Sequence, residues 1–154
     1  MSLPLWSLVI ATLMVYASKI PLNIITLRAE RYDNHYPRLQ HLRQQGVGHR
    51  AWAAHQNMIE AYPMFAAGVL VAQMWGNHSD IANACAVVFL LARVLFQVCY
   101  LADWSSLRSV SWAAGFAASS AITVSSPTSS LRRIRAVSFS VGTKDRAWRH
   151  WKRA

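Results

Sequence analysis

Long apolar stretches alternate with polar segments along the chain. Residues 3–27, 51–75 and 81–101 are rich in hydrophobic side chains. Each stretch has about the 20 residues that an α-helix needs to cross roughly 30 Å of hydrocarbon. The pattern therefore predicts three membrane-spanning helices.

A fourth apolar stretch, residues 110–124, is shorter and richer in Ser. We predict that residues 1–124 form one transmembrane domain, an all-α integral membrane four-helix bundle. The fourth helix either completes a span or stops short of one. The first helix carries Lys19 and Pro21, and a kink is expected where Pro21 cannot donate its backbone hydrogen bond.

The composition changes after this domain. Residues 125–154 are rich in Ser, and eight of the sixteen Lys and Arg lie between Arg132 and Arg153. We predict a disordered basic tail, and the alternative is a Trp-bearing patch that lies on anionic lipid.

Composition and charge distribution point to a membrane rather than to nucleic acid. Hydrophobic residues make up 54% of the chain and charged residues 14%, which is too apolar for a soluble domain of this length. Five basic residues lie in or beside the segment that joins the first two spans: Arg28, Arg31, Arg38, Arg43 and Arg50. The positive-inside rule therefore predicts a cytoplasmic first loop in a multi-pass protein, with membrane lipid and not nucleic acid as its partner.

The same rule creates a conflict at the other end of the chain. Four complete spans would place the basic tail on the side opposite the first loop. Either the fourth stretch does not cross, or the tail is an anomalous ending. Cys85 and Cys99 both fall in the third stretch and are predicted to pack in the core, and the dispersed His residues give no metal-binding spacing.

Polar residues inside the spans are the most informative ones, because burying a charge in hydrocarbon is costly. Asn57 and Glu60 are three apart on the second span, and Arg93 and Tyr100 are seven apart on the third. Each pair therefore shares a helix face. One hypothesis is a structural ion pair between Glu60 and Arg93, and the other is a polar cleft that binds an anionic ligand.

Two segments carry a resemblance to a known family. Residues 50–65, RAWAAHQNMIEAYPMF, contain an Arg, an Ala-His pair, an Asn, a Glu three residues later, and then Pro and Phe. Residues 93–112 contain an Arg and a Tyr seven apart, followed by an Arg-Ser pair. This ordered set resembles the signatures of the MAPEG family, the membrane-associated proteins in eicosanoid and glutathione metabolism.

The resemblance implies a homotrimer of four-helix protomers that binds glutathione as a co-substrate between subunits. Carried over by position, the ligand contacts would be Arg31, Asn57, Glu60, Arg93 and Tyr100. Arg108 or Ser109 would then lower the pKa of the thiol or donate a hydrogen bond to the sulfur.

The sequence departs from the eicosanoid enzymes at three positions. Ala53 and Gln56 stand where members of that group have Arg, and Phe96 stands where one subgroup has His. A neutral side chain cannot form the bidentate, charge-assisted hydrogen bonds that a guanidinium makes with a carboxylate. The chain is therefore more similar to the bacterial branch of the family, which implies a bacterial inner membrane.

Three functions follow as hypotheses. The first is a glutathione-dependent transferase or peroxidase that acts on small lipophilic electrophiles. The alternative is a non-enzymatic trimeric membrane protein of the same fold that binds another anion or lipid. A transporter is suggested only by charges within the spans, and no inverted repeat supports it.

Overall fold

The computed structural model describes residues 2–76 and 79–125. Its regular structure is entirely helical over that part of the chain, so the predicted all-α architecture is confirmed. The helices are α1 (Leu3–Ala17), α2 (Lys19–Ala29), α3 (Pro37–Arg43), α4 (Val47–Met74), α5 (Asp80–Leu101) and α6 (residues 105–125). The predicted tail, beyond its first residue, lies outside the described residues.

The long helices run antiparallel to their neighbours. Thr12 of α1 hydrogen-bonds Tyr62 of α4, and Ser18 hydrogen-bonds His55. Residue numbers therefore rise along α1 as they fall along α4, so the two helices are antiparallel. Arg50 at the start of α4 meets Asp103 in the turn after α5 at 3.4 Å. The α2–α4 connection and the α5–α6 turn therefore lie at the same end of the bundle, which we call the loop end.

Local sequence explains where the helices begin and end. Ser79 caps α5, because its side chain accepts a hydrogen bond from the backbone N–H of Ala82 at 3.2 Å, and Asp80 follows in the first turn. Gly76 takes a φ of 62° just after α4 and allows the chain to turn. Asp103, with a φ of 64°, makes the corresponding turn between α5 and α6.

The first apolar stretch is divided at Ser18. Pro21 has no N–H to donate to the carbonyl of Ala17, and its ring crowds that carbonyl, so the helix breaks there. At the break, the Ser18 carbonyl accepts a hydrogen bond from the Gln97 amide at 3.3 Å. The predicted kink is therefore present, whereas α4 continues through Pro63 without interruption.

The interior of the bundle is rich in small residues, and most of the large apolar residues lie outside. Eight of the buried core residues are Ala: Ala11, Ala51, Ala54, Ala72, Ala82, Ala86, Ala92 and Ala118. Large aliphatic side chains on α1 and α5, such as Leu13 at 63% and Leu91 at 65%, are exposed. This arrangement suits a bundle in lipid, where close packing of small residues holds helices together.

Two helical segments are long and apolar enough to cross a membrane among the described residues. They are Leu3–Ala29, which comprises α1 and α2, and Asp80–Leu101. The helices α4 and α6 are not among them, because their polar faces lower their mean hydropathy. In the structure the predicted fourth helix begins five residues earlier than expected and covers residues 105–125. The count of four spans and the domain limits stay predictions.

The core is closed by one aromatic pair and one close helix contact. Phe65 of α4 and Phe89 of α5 are both fully buried and stack with ring centroids 3.9 Å apart. A Cβ at Gly68 would lie 2.8 Å from Thr123 Oγ1 and 3.2 Å from the backbone oxygen of Ser119. Glycine is therefore what lets α4 approach α6 at this level.

We expect Gly68→Ala to be less stable than Gly115→Ala by about 1–3 kcal/mol, the usual cost of overpacking. The Gly115 variant is the matched control, because its Cβ would meet Arg93 Cδ at 3.5 Å, an ordinary contact. Both variants gain helix propensity of about 1 kcal/mol, so the difference isolates the α4–α6 contact. Reversible unfolding of detergent-solubilised protein measures it, and equal stability would contradict the close contact.

Candidate functional site

A buried guanidinium lies at the centre of the polar residues. Arg93 on α5 is only 3% exposed, and its Nη2 donates a hydrogen bond to Asn57 Oδ1 on α4 at 2.7 Å. The other end of the Asn57 amide donates to Glu60 Oε2 at 3.5 Å. Asn57 therefore uses its acceptor for the cation and its donor for the carboxylate.

The hypothesis of a direct ion pair between Glu60 and Arg93 is wrong. The Glu60 side chain is exposed and reaches Arg93 only through Asn57. Across the two described ranges, the ion pair that forms is Arg50 with Asp103 instead. The physical reason is the rotation of α4, which turns the Glu60 side chain outward and leaves Asn57 within hydrogen-bond distance of Arg93.

A series of ring contacts extends from Arg93 toward the loop end. The Arg93 guanidinium lies 4.3 Å from the centroid of the Phe96 ring, and Phe96 meets Tyr100 edge to face at 5.4 Å. Arg108 of α6 lies 4.6 Å from the centroid of the Tyr100 ring. Two cations are thus held on aromatic faces along one stripe of α5, with Arg108 partly exposed at its outer end.

A cavity of about 220 Å³ opens between α4, α5 and α6 beside this stripe. We call it the Arg93 cavity. Its polar wall is formed by Asn57, Glu60, Arg93 and Ser119, and its apolar wall by Ala61, Met64, Phe89, Trp112, Gly115 and Phe116. A polar edge against an apolar wall suits a ligand that has both charged groups and an apolar part.

Four of the predicted site residues do not line this cavity. Tyr100 and Arg108 are connected to Arg93 by the ring contacts, whereas Arg31 and Ser109 are not. Arg31 is exposed and borders a different cavity with Asp33 and Arg43 at the loop end. Ser109 is exposed, and its hydroxyl donates to the backbone oxygen of Ser105 at 3.1 Å. Within one chain, the structure therefore joins Asn57 to Glu60 and Arg93, and Tyr100 to Arg108, but leaves Arg31 and Ser109 separate.

The sequence pattern of the MAPEG family matches residues 3–126, which include every residue of the Arg93 cavity. The chain belongs to the MAPEG family. It is accordingly an integral membrane protein of a family that serves glutathione and eicosanoid metabolism. A comparison with curated proteins finds no match.

Ala53 and Gln56, the two neutral positions of this MAPEG chain, lie in different surroundings. Gln56 borders a second cavity, between α2, α3 and α4, and faces away from Arg93. Ala53 is partly buried on α4, one turn before Asn57. Neither position adds a cation to the Arg93 cavity.

Sequence reasoning missed several residues that shape this MAPEG site. Phe96 entered the sequence analysis only as a difference from the eicosanoid enzymes. In the structure its ring contacts the Arg93 guanidinium on one side and the Tyr100 ring on the other. Trp112 and Phe116 stack at 5.4 Å and form the α6 wall. Their spacing of four residues on one helix face was the available signal, but nothing in it tells a cavity wall from a lipid-facing pair.

We expect Asn57→Ala to lower stability by about 1–3 kcal/mol, because it leaves the buried Arg93 without its acceptor. The same change in an Arg93→Met background should cost less, so that a double-mutant cycle gives a coupling of about 1 kcal/mol or more. Detergent unfolding equilibria of the four proteins measure this value.

Asn83→Ala is the matched control, since Asn83 is half-buried on α5 and its change should stay within about 0.5 kcal/mol. Additive losses for Asn57 and Arg93 would contradict the proposed dependence of one on the other.

Proposed function

We propose that this protein is a glutathione-dependent transferase or peroxidase acting on small lipophilic electrophiles. The observation that carries the proposal is the polar chain from Glu60 through Asn57 to Arg93, which borders a cavity in an otherwise apolar bundle. A zwitterionic tripeptide offers both ammonium and carboxylate groups to such a chain. Electrophiles dissolved in the bilayer would meet it through the apolar wall.

Each polar group has a distinct part in this proposal. Glu60 and Asn57 bind the polar groups of the tripeptide, and Tyr100 and Arg31 complete its contacts. Arg93 is a positioning residue, because its guanidinium is already bonded to Asn57 and covered by Phe96.

We assign to Arg108 the stabilisation of the glutathione thiolate. Its guanidinium is partly exposed beside Tyr100, and a nearby cation favours the thiolate over the thiol. In the transferase reaction the sulfur forms a bond to the electrophilic carbon, the leaving group departs with the bonding electrons, and the thiol proton passes to water. Ser109 is the alternative donor to the sulfur.

A homotrimer would complete this site. The Arg93 cavity, at about 220 Å³, is smaller than the roughly 300–1,000 Å³ typical of ligand pockets. Arg31 also borders a separate cavity of its own chain. Both features are consistent with a site formed between neighbouring subunits, in which one copy supplies Arg31 and another supplies Asn57 and Glu60.

The alternative function is a non-enzymatic trimeric membrane protein of the same fold that binds another anion or lipid. Ala53 and Gln56 favour it, because these positions add no cation beside Asn57. Arg93, moreover, has its Asn57 bond and its Phe96 contact within the chain itself.

We expect the purified protein to bind glutathione saturably, and Arg108→Ala to weaken binding of the thiolate form by about tenfold or more, as for loss of one charge-assisted contact. Turnover of an activated aryl halide should fall with it. Arg28→Ala is the matched control, since Arg28 is exposed on α2 and takes no part in the ring contacts between Arg93 and Arg108.

Calorimetry and the thiolate absorbance of bound glutathione measure these effects. No binding at millimolar glutathione would reject the enzyme and favour the alternative. Equal losses in both Arg variants would remove the role assigned to Arg108.

We further propose that the protein is a multi-pass protein of a bacterial inner membrane with its first loop in the cytoplasm. Tyr36→Cys, 66% exposed beside α3, should resist a membrane-impermeant maleimide in intact spheroplasts. Met74→Cys, 85% exposed at the opposite end of α4, is the control and should be labelled. The reverse labelling would overturn this orientation.

A further inference from the structure

A second cavity lies on the other side of α4 from Asn57. It has a volume of about 500 Å³ and is enclosed by α2, α3 and α4 at the loop end. We call it the α3 cavity. Its polar lining consists of Lys19, Arg38, His41, His55 and Gln56, and no Asp or Glu borders it.

The Lys and Arg side chains of this cavity form no ion pair with a carboxylate of the described residues. Lys19 opens α2 next to Ser18, which hydrogen-bonds His55 of α4. The ion pair found in the described ranges is formed by other residues, Arg50 and Asp103. Lys19 and Arg38 therefore leave uncompensated positive charge at the cavity wall.

One of the two histidines has a buried nitrogen without a partner. His41 is 4% exposed, yet its Nε2 has no hydrogen-bond partner in the described chain. Burial, and then the charge of Lys19, lower the pKa of His41 and so favour the neutral ring. A buried polar atom without a partner carries a cost that a ligand would remove.

The second histidine has a defined orientation. The Ser18 hydroxyl donates its proton to the Val15 carbonyl at 2.7 Å, so the contact of 2.8 Å between Ser18 Oγ and His55 Nδ1 is donated by the histidine. His55 Nε2 then carries no proton in the neutral ring. An anion in the cavity would favour protonation of this nitrogen and gain a further donor.

Helix length predicts that the cavity lies at the level of the lipid phosphates. α4 has 28 residues and is about 42 Å long, which exceeds the roughly 30 Å of hydrocarbon. Counted from Met74, about 20 residues reach the region of His55. The start of α4, together with α3, therefore lies at the polar boundary of the bilayer.

We propose that the α3 cavity binds a phosphate-bearing anion, with Lys19 and Arg38 supplying charge and His41, His55 and Gln56 supplying hydrogen bonds. The phosphate belongs either to an anionic lipid headgroup or to a soluble phosphate ester. The inference does not rest on glutathione chemistry, because Gln56 and Asn57 lie on different faces of α4 and border different cavities.

The first experiment uses glycerol 3-phosphate with the full chain in a zwitterionic detergent. Saturable binding should raise the pKa of His41, followed by NMR of the ring, because the bound anion offsets the charge of Lys19 and favours the imidazolium. His55 and Arg38 are the other titratable or charged groups that border the cavity with it.

The second experiment uses native mass spectrometry of protein from nanodiscs of phosphatidylcholine with or without phosphatidylglycerol. Retained phosphatidylglycerol without glycerol 3-phosphate binding identifies a headgroup site. Binding of glycerol 3-phosphate without retained lipid identifies a site for soluble phosphate esters. Either result supports the proposal.

Variants decide whether the cavity is responsible. Lys19→Gln should weaken binding about tenfold, and Arg38→Gln, which changes an exposed side chain, guards against a folding defect at Lys19. Arg28→Gln is the matched control, because Arg28 is exposed in the last turn of α2 and does not border the cavity. Absence of binding by both probes, or equal loss in all three variants, would overturn the proposal.

Discussion

The bonded guanidinium of Arg93 is the constraint on which the arrangement of α4, α5 and α6 depends. A cation that is 3% exposed in a membrane bundle must keep its hydrogen bond, and Asn57 supplies it at 2.7 Å. That bond fixes the rotation of α4 against α5, which in turn brings Phe65 onto Phe89. The same guanidinium lies over the Phe96 ring, which is the first of the ring contacts that lead through Tyr100 to Arg108.

The packing around this constraint is that of a protein whose solvent is lipid. Alanines fill the interior, and the larger aliphatic side chains of α1 and α5 face outward. Burial of large apolar groups brings no gain in hydrocarbon, so close approach between small residues becomes the main attraction. Gly68 against Ser119 and Thr123 is the tightest such approach among the glycines of the described chain.

Charge at the loop end is divided between two faces of α4. On one face, the Asn57 amide hydrogen-bonds both Arg93 and Glu60, so that one side chain connects a cation to a carboxylate. On the other face, Lys19, Arg38 and two histidines surround a larger cavity with no carboxylate in its wall. One face therefore has the balanced charges suited to a zwitterion, and the other has the excess positive charge suited to a phosphate.

Much of the fold was predictable because hydrocarbon imposes simple rules on a sequence. Apolar length located the helices, Pro21 located the break near Ser18, and the ordered residues around Asn57, Glu60 and Arg93 identified the MAPEG family. The sequence also placed Asn57 with Glu60, and Arg93 with Tyr100, on shared helix faces, since helical periodicity alone decides this.

Which partner each polar group takes was decided only by the tertiary structure. Helical periodicity defines directions around one axis, whereas the rotation of α4 against α5 decides that Asn57, and not Glu60, meets Arg93. The role of Phe96 beneath a cation and the enclosure of Lys19 by α3 likewise depend on distances between helices. By itself, the sequence determined an all-α membrane bundle and its charged positions. Helix packing determined how those charges are satisfied, because that depends on contacts between residues far apart in the chain.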